Sequence, residues 1–290
     1  NVWANKNGCL VSPYANKISI CAIDRIEKRP LFHFLPGTKT LSVGFLGCNM
    51  HCSYCENHEI SKNFGDEKDY PQISPDELVG MSSHGVKSIS FSYTEPTLYP
   101  YYIQKVAELS NIPVAVKSNG FVHVSQYDLW LKSVDAWNID IKGDEDTYKN
   151  VCGNLNNVLD FIKTLKLNNR HVEISYLPTP QTVTDKDTHI RIAEILRNID
   201  VDMPVHILYF YPNYKINEMY DKEMLLDVYE IFKDCMNYVY VSNVFGPIGR
   251  RNTCCTECGA ILIERTKEVK INKYSCCGKD IHGILEYNKR

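Results

Sequence analysis

Short apolar strands alternate with helical patterns between residues 41 and 241, and few folds accommodate that order over so long a stretch. Runs rich in β-branched and aromatic residues predict strands, at residues 18–23, 41–45, 88–92, 113–116, 137–141, 172–176, 205–210 and 238–241. Residues 155–165 repeat apolar side chains at steps of three and four, as one buried helix face requires. Six or seven strand–helix units predict an α/β fold with a parallel sheet, either open and doubly wound or a barrel.

Polar side chains stand at the ends of four of these strands. A cysteine-rich loop follows residues 41–45, and residues 94–96 (Thr-Glu-Pro) follow the next strand. Residues 117–120 (Lys-Ser-Asn-Gly) and 140–142 (Asp-Ile-Lys) end the two strands after that. Because working groups of parallel α/β folds gather where the strands end, we expect these residues to share one site.

The chain has 12 cysteines, and most of them lie in two clusters. The first cluster is Cys48, Cys52 and Cys55, and the second is Cys254, Cys255, Cys258, Cys276 and Cys277. A chain of 290 residues can build a core without disulfides. Thiols separated by two or three residues are typical of metal ligation in a reducing cell, so we predict two metal sites and a cytoplasmic location.

Charge and hydropathy exclude several classes of partner. With 32 basic and 35 acidic residues the net charge is -3, so we expect no nucleic-acid partner. No apolar run approaches the roughly 18 residues of a membrane span, and we expect no membrane association. The chain begins at Asn1 without Met and without a signal-peptide pattern, which we interpret as an incomplete start.

The first cysteine cluster predicts an iron–sulfur site. Three thiolates spaced by three and then two residues hold three corners of a 4Fe-4S cluster and leave one iron open. Structural zinc, with His51 or His58 as a fourth ligand, is the alternative. Zinc sites more often combine two pairs of ligands, and no second pair follows nearby, so we favour the cluster.

This loop and several further segments resemble one enzyme family. The segments are residues 26–37 (Ile-Glu-Lys-Arg-Pro-Leu-Phe-His-Phe-Leu-Pro-Gly), 47–49, 55–61, 93–97, 118–120 and 138–143. Together they resemble the radical S-adenosylmethionine (SAM) superfamily, in particular the AmmeMemoRadiSam-system enzymes, relatives of the pyruvate formate-lyase activating enzymes. The resemblance extends from about residue 8 to beyond residue 265.

The resemblance implies a fold and a reaction. The expected architecture is a partial (β/α)6 barrel at residues 41–249, with an N-terminal β extension at residues 1–40 and a cysteine-rich, zinc-ribbon-like module at residues 250–290. Its cofactors would be a 4Fe-4S cluster and SAM. One-electron cleavage of SAM would yield a 5′-deoxyadenosyl radical that removes hydrogen from a substrate inside a water-excluding barrel.

The resemblance also assigns roles to single residues at the strand ends. Tyr54 matches the aromatic residue beside the adenine, and Glu95 matches the residue that receives the SAM amino group. Ser118 and Asn119 match a segment near the methionine or ribose. In the last segment, Asp140 and Lys142 match an Asp-x-Lys that faces SAM, although a salt-bridged strand end is the simpler alternative.

Two positions depart from the family pattern. Lys117 stands where the activating enzymes have an acidic residue beside a cation, and we hypothesise that its ammonium replaces that cation and pairs with the SAM carboxylate. Tyr211 takes the place of a histidine in the family's Arg-Phe-His-Pro-Asp-Tyr, and it could contact the adenosyl group. Tyr93 and Tyr209 are further pocket candidates. The second departure favours a specialised substrate.

The second cysteine cluster predicts a zinc ribbon closed by four of its five thiols. In the family both knuckles read Cys-x-x-Cys-Gly, but here Tyr274 stands at the first position of the second knuckle. Cys276 or Cys254 must therefore substitute. An auxiliary iron–sulfur cluster is the alternative to zinc.

Three functions are compatible with the sequence. The match to the activating enzymes favours a peptide or protein substrate, through glycyl-radical activation or peptide modification, with a reductant such as flavodoxin or ferredoxin. The second function is radical chemistry on a small molecule or nucleotide. The third is a zinc-binding scaffold without catalysis. The sequence does not indicate an oligomeric state.

Overall fold

The computed structural model describes residues 2–82 and 85–287. Its strands are β1 Ala4–Lys6, β2 Cys9–Val11, β3 Ile20–Arg25, β4 Lys39–Gly44, β5 Val86–Ser92, β6 Val114–Ser118, β7 Ala136–Ile141, β8 His171–Tyr176, β9 Val205–Ile207, β10 Val239–Val241, β11 Thr253–Cys254, β12 Ile261–Arg265, β13 Val269–Ile271, β14 Ser275–Cys276 and β15 Lys279–Asp280. Its α-helices are α1 His58–Ser61, α2 Pro75–Met81, α3 Pro100–Leu109, α4 Tyr127–Ser133, α5 Glu145–Asn150, α6 Leu155–Leu167, α7 Lys186–Ile199 and α8 Met224–Lys233. Short 3₁₀ turns occupy Ile26–Lys28, Glu67–Asp69, Pro96–Leu98 and Val124–Gln126.

The main sheet has 8 strands in the order β10-β9-β8-β7-β6-β5-β4-β3. Strands β4 to β10 are parallel, and β3 pairs with β4 in the antiparallel direction. Each parallel strand lies beside its successor in the chain, which is the order of a barrel wall and not of a doubly wound sheet. Because β3 and β10 are the two edges of the described sheet, the barrel is partial, as the resemblance implied.

The strand and helix predictions are confirmed, with shifts of one or two residues at most strand ends and a larger difference at one strand. Each predicted strand range overlaps one of β3 to β10, and α6 buries the apolar face predicted for residues 155–165. The strand predicted at residues 205–210 ends at Ile207. The chain then leaves the sheet after a last hydrogen bond from Leu208 N–H to the Tyr176 carbonyl. The residues beyond it contribute to the rim of the site.

Many of the buried side chains on the sheet are polar. Thr40 Oγ1 donates to the Ser88 carbonyl over 3.1 Å, and Ser175 donates to Asn138 over 2.7 Å. Because alternate residues of a strand face opposite sides, the apolar neighbours of these residues pack on the other face, towards the helices. One face of the wall is therefore an apolar core and the other is a polar lining.

The C-terminal residues form a small unit with its own core. A three-stranded antiparallel sheet, β11-β12-β13, is followed by the hairpin β14-β15. Its core holds Cys255, Leu262, Ile263 and Ile281. The cysteine-rich module is thus observed as a folded unit, while the domain boundaries at residues 40 and 249 stay predictions.

Two findings bear on the expected environment of the chain. All of the cysteines are free thiols, so no disulfide framework is present. No described helix has the length and apolarity needed to cross a bilayer. The cytoplasmic location stays a prediction.

Gly120, just after β6, lies where the fold leaves no room for a side chain. Its φ is +70°, and a Cβ there would lie 2.8 Å from Ile139 Cγ2 and 2.9 Å from Val158 Cγ1. We expect Gly120→Ala to lower the free energy of unfolding by about 2 kcal/mol or more, because it adds backbone strain and overpacking. Anaerobic urea unfolding measures this loss. Gly80→Ala in α2 is the control, since a Cβ there meets no atom of the described residues within 4 Å. Equal stability of the two variants would contradict the prediction.

Candidate active site and metal centres

A cavity of about 390 Å³ lies at the carboxyl ends of the parallel strands. This volume falls within the range of small-molecule and cofactor sites. Every residue predicted for the active site lines the cavity except Tyr211: Cys48, Cys52, Tyr54, Cys55, Glu95, Lys117, Ser118, Asn119, Asp140 and Lys142. Larger grooves of about 680 and 720 Å³ lie elsewhere and contain none of these residues.

The three thiols of the first cluster line this cavity. Among the described residues they do not form a group whose ligand atoms all lie within 4.8 Å. A single tetrahedral zinc, with Zn–S bonds of about 2.3 Å, would bring its thiolates to about 3.8 Å from each other. The three thiols are therefore not arranged around a single tetrahedral zinc ion.

The surroundings of these thiols suit metal ligation. Burial raises the pKa of Cys48 to about 12 and also raises the pKa of Cys52. A bound metal offsets that burial by stabilising the thiolate. Asn119 Nδ2 and the Met50 N–H point at Cys48 Sγ over 3.6 and 3.4 Å. These donors would hydrogen-bond a ligating sulfur, so the residues present fit the cluster that the sequence predicts.

Glu95 is buried, and one of its carboxylate oxygens can accept a further hydrogen bond. Its Oε1 accepts hydrogen bonds from the Thr97 N–H, the Thr97 hydroxyl and the Ser118 hydroxyl, over 3.1, 2.7 and 2.8 Å. Its Oε2 accepts only from the Asn119 N–H, over 2.8 Å, within the described part of the chain. Burial raises the pKa of Glu95. A cationic ligand group beside Oε2 would offset the cost of burying this carboxylate.

Asp140 at the end of β7 lies between two ammonium groups. Its Oδ1 accepts from Lys117 Nζ over 2.6 Å, and its Oδ2 accepts from Lys142 Nζ over 2.7 Å. Burial by itself would raise the pKa of Asp140, but the two lysines lower it to about 2. The three residues therefore carry one net positive charge inside the cavity.

The two lysines differ in how many of their N–H donors are used. Lys117 donates to Asp140, to Asn138 Oδ1 over 2.7 Å and to Ser175 Oγ over 3.1 Å, which accounts for all three donors of an ammonium. Lys142 has Asp140 as its one acceptor among the described residues, so two of its donors are free. Lys142 is thus better placed than Lys117 to bind an anionic ligand group.

Three buried polar atoms of residues on the cavity wall have no hydrogen-bond partner among the described residues. They are the hydroxyl oxygens of Tyr54 and Thr94 and the Nε of Arg29. Tyr54 is 8% exposed. Buried polar groups are normally paired, so unpaired ones beside a cavity are consistent with a polar ligand such as SAM.

Of Tyr93, Tyr209 and Tyr211, the further tyrosines predicted for the pocket, two line it. Tyr93 and Tyr209 are on the wall. The structure does not bring Tyr211 into the cavity: its side chain is 43% exposed, and its hydroxyl donates to the Asn243 carbonyl over 3.4 Å. Because the strand ends at Ile207, the backbone has already left the sheet at this position. Tyr211 instead contacts the edge of the Tyr209 ring at the rim.

A second polar group on the cavity wall centres on Arg29, which was not predicted from the sequence. Arg29 is buried and donates to Ser92 over 3.0 Å, to Tyr93 over 2.8 Å and to Asp24 over 2.6 Å. Tyr93 has a φ of +73°, a rare conformation for a bulky residue. Arg29 lies within a segment that carried the family resemblance, which was the available signal, but only the fold shows that it faces the cavity.

The second metal group consists of four convergent thiols. The Sγ atoms of Cys255, Cys258, Cys276 and Cys277 all lie within 4.8 Å of one another. Two of these separations are 3.7 Å, from Cys258 to Cys276, and 3.8 Å, from Cys276 to Cys277. Those values match the spacing of about 3.8 Å expected around one tetrahedral zinc.

The structure also decides which cysteine is left out of this group. Cys254, in β11, lies outside the four, so Cys276 substitutes for the missing first cysteine of the second knuckle. Backbone N–H groups of Cys258 and Glu257 lower the pKa of Cys255 to about 7. The neighbouring thiols raise the pKa of Cys277 to about 12, because adjacent thiolates repel unless a cation lies between them. The donor set therefore fits a divalent metal.

Comparison with curated proteins gives relatives over nearly the whole chain. An uncharacterized protein of Methanocaldococcus jannaschii, MJ0808, is 34% identical over 300 residues, covering 97% of this chain and 89% of that protein. A pyruvate formate-lyase-activating enzyme of Clostridium pasteurianum is 30% identical over 173 residues, covering 57% of this chain and 71% of the enzyme.

Solved structures share the fold at low sequence identity. Streptococcus suis SuiB bound to S-adenosylmethionine aligns with a TM-score of 0.54 and 16% identity, covering 72% of this chain and 49% of SuiB. The enzyme anSMEcpe with bound AdoMet and a peptide aligns with a TM-score of 0.51 and 15% identity, covering 69% of this chain and 63% of the enzyme. The chain thus spans about half to two thirds of the length of these structures.

The family model of the Radical SAM superfamily matches residues 43–192, which include the cysteine loop, Glu95 and the Lys117–Asp140–Lys142 group. The chain is accordingly an enzyme whose cofactors are a 4Fe-4S cluster and SAM. Together, the family match, the relatives and the fold show that the chain belongs to the Radical SAM superfamily.

Proposed function

We propose that this enzyme removes hydrogen from a peptide or protein, either to activate a glycyl-radical partner or to modify a peptide. The observation that carries the proposal is the 30% identity with a pyruvate formate-lyase-activating enzyme. The described sheet does not close on itself, since β3 and β10 are its two edges. SuiB bound to its precursor peptide has the same barrel type, which adds support at the level of the fold.

Different residues of the cavity would bind the cluster and SAM. Cys48, Cys52 and Cys55 would ligate the cluster, which supplies the electron that cleaves SAM to methionine and a 5′-deoxyadenosyl radical. Glu95 would accept a hydrogen bond from the SAM amino group at Oε2, the oxygen that can accept a further one. Ser118 and Asn119 hold that carboxylate in place, because each donates to it.

Lys142, and not Lys117, would bind the SAM carboxylate. The hypothesis from sequence gave this task to Lys117, but all three of its donors are used within the protein. Lys117 would instead supply the positive charge that keeps Asp140 ionised, and Asp140 would orient Lys142. In this way Lys117 still takes the place of a cation beside SAM.

The cavity wall would limit side reactions of the radical. Tyr54 is nearly buried and would cover one side of the adenosyl group, with its free hydroxyl available to the ligand. Leu177 and Leu208 add apolar surface to the wall. An enclosed site protects a reactive intermediate from water and reductant. A flavodoxin or ferredoxin is the proposed source of the electron.

Transfer of deuterium to 5′-deoxyadenosine tests the substrate class. Extract from source cells grown in heavy water is divided by ultrafiltration into large and small molecules, and each fraction is incubated anaerobically with enzyme, SAM and reductant. We expect deuterium in the 5′-deoxyadenosine from the large-molecule fraction, because hydrogen is taken from a peptide or protein. Mass spectrometry measures it, and protease treatment should abolish the transfer. Deuterium arising from the small-molecule fraction alone would favour a small-molecule or nucleotide substrate instead.

The assignment of Lys142 has its own test. We expect Lys142→Met to weaken SAM binding by about 10- to 100-fold, the cost of one charged hydrogen bond. Binding of decarboxylated SAM, which lacks the contacted group, should change little. Equilibrium dialysis of the anaerobic, cluster-loaded enzyme measures both affinities.

Lys149→Met is the control for this test, since Lys149 is exposed and pairs only with Asp146 in the described residues. It should leave both affinities unchanged. A Lys142→Met enzyme that binds both ligands like the parent, or loses both equally, would contradict the assignment.

We further propose that the C-terminal thiols bind zinc and not an auxiliary iron–sulfur cluster, because their spacing suits a single ion. The anaerobically prepared enzyme should then contain about one zinc per chain besides the iron of the first cluster. Cys277→Ser should lose most of the zinc, because a tetrahedral site needs all four ligands, and the control Cys254→Ser should keep it. Elemental analysis measures this; additional iron in place of zinc would overturn the proposal.

A further inference from the structure

Residues 29–35 run from the active-site cavity to the C-terminal unit, and we call this segment the plug. Arg29 and Pro30 line the cavity. Phe32, His33 and Phe34 are fully buried, each 0% exposed. The segment follows β3 and precedes β4, yet its backbone is held by groups that come from much later in the chain.

On the barrel side, the plug is held by Glu173 of β8. The Phe32 N–H donates to Glu173 Oε2 over 2.9 Å, and the His33 N–H donates to Oε1 over 2.8 Å. His171 and His206 supply the other hydrogen bonds, over 2.9 and 2.7 Å. All four acceptor positions of a fully buried carboxylate are thus occupied, and two of them by the backbone of the plug.

On the opposite side, the plug is held by the C-terminal unit. Arg265 of β12 is 4% exposed, donates to the Phe32 carbonyl over 2.5 Å and lies 4.3 Å from the centre of the Phe32 ring. Ile284 exchanges two backbone hydrogen bonds with the plug, one with the His33 carbonyl and one with the Leu35 N–H. The plug is therefore clamped between β8 and the C-terminal unit.

The plug is connected to the lysine–aspartate group through Asn138 of β7. Asn138 Nδ2 donates to the Pro30 carbonyl over 2.7 Å. This contact turns Asn138 Oδ1 towards Lys117 and Ser175, each of which donates to it over 2.7 Å. If the plug moved, the amide would lose the acceptor that fixes its orientation, and a rotated amide would present N–H donors to the Lys117 ammonium.

We infer that Glu173 and Arg265 are positioning residues, which clamp the plug so that Asn138 holds Lys117, Asp140 and Lys142 in the arrangement that binds the SAM carboxylate. The inference rests on the proposed role of Lys142. It gives the C-terminal unit a part in SAM binding although none of the unit's described residues lines the cavity. Supporting residues outside a site commonly fix the geometry of the residues that touch the ligand.

Two variants move the plug without altering a cavity residue or a metal ligand. In Gly283→Ala the new Cβ would overlap the His33 carbonyl oxygen, so the plug must shift. Glu173→Gln replaces one accepting oxygen by an amide N–H₂, which faces the Phe32 or the His33 N–H. Gly80→Ala in α2 is the control, because its Cβ has no neighbour within 4 Å in the part of the chain that the structure describes.

The test compares SAM with decarboxylated SAM on the full, anaerobic, cluster-loaded enzyme. We expect Gly283→Ala and Glu173→Gln to weaken SAM binding about tenfold while binding of decarboxylated SAM is nearly unchanged, and Gly80→Ala to match the parent. A general loss of structure would weaken both ligands together, so the selectivity separates positioning from folding.

The inference is overturned if both plug variants bind SAM like the parent, or if both ligands weaken equally. Lys142→Met, measured in parallel, separates this failure from that of the proposed function. If Lys142→Met distinguishes the two ligands and the plug variants do not, the positioning role alone is wrong. If Lys142→Met does not distinguish them, the carboxylate assignment is wrong and the inference fails with it.

Discussion

The active site depends on the carboxylate of Asp140 being shared by two partly buried lysines. A buried charge is costly unless it is paired, and here the pairing requires side chains from neighbouring strands to meet at one level of the barrel. The parallel register supplies this: Lys117 lies opposite Asn138, and Asp140 lies opposite Ser175. Lys117 donates all three of its N–H groups to these neighbours. The one net positive charge of the three residues is therefore available to a ligand at Lys142. That charge, together with the carboxylate of Glu95 on the wall of the same cavity, suits a ligand with both an ammonium and a carboxylate.

The two cysteine clusters use the same ligand chemistry with different geometry. The loop after β4 carries three thiols that line a cavity and do not converge on a single point, which leaves room for a multi-iron cluster and a bound ligand. In the C-terminal unit four thiols converge to the spacing of one tetrahedral ion, with Cys254 left outside. A closed four-ligand site is typical of structural zinc, whereas an open position is typical of a catalytic metal. Geometry thus separates two sites that the spacing of cysteines in the sequence only suggested.

Much of the fold and site could be predicted because the signals are local. Apolar periodicity indicated the strands and α6, and polar residues at strand ends indicated the members of one cavity. Three features could not be predicted, since each depends on long-range contacts. Lys142 has free N–H donors and Lys117 has none. This difference depends on the hydrogen bond from Lys117 to Ser175, which is 58 residues away in the sequence. Glu173 looked like an ordinary strand residue, although it binds the backbone of the plug from 140 residues away. Tyr211 was placed by analogy, but the strand ends before it.

The central claim is that Cys48, Cys52 and Cys55 hold the cluster at which SAM is cleaved, while the C-terminal thiols serve another metal. Anaerobic, reduced enzyme incubated with SAM and analysed for 5′-deoxyadenosine by mass spectrometry tests it most directly. We expect 5′-deoxyadenosine from the parent and from Cys254→Ser, and none from Cys52→Ala. A Cys52→Ala enzyme that still forms 5′-deoxyadenosine at the parent's rate would contradict it.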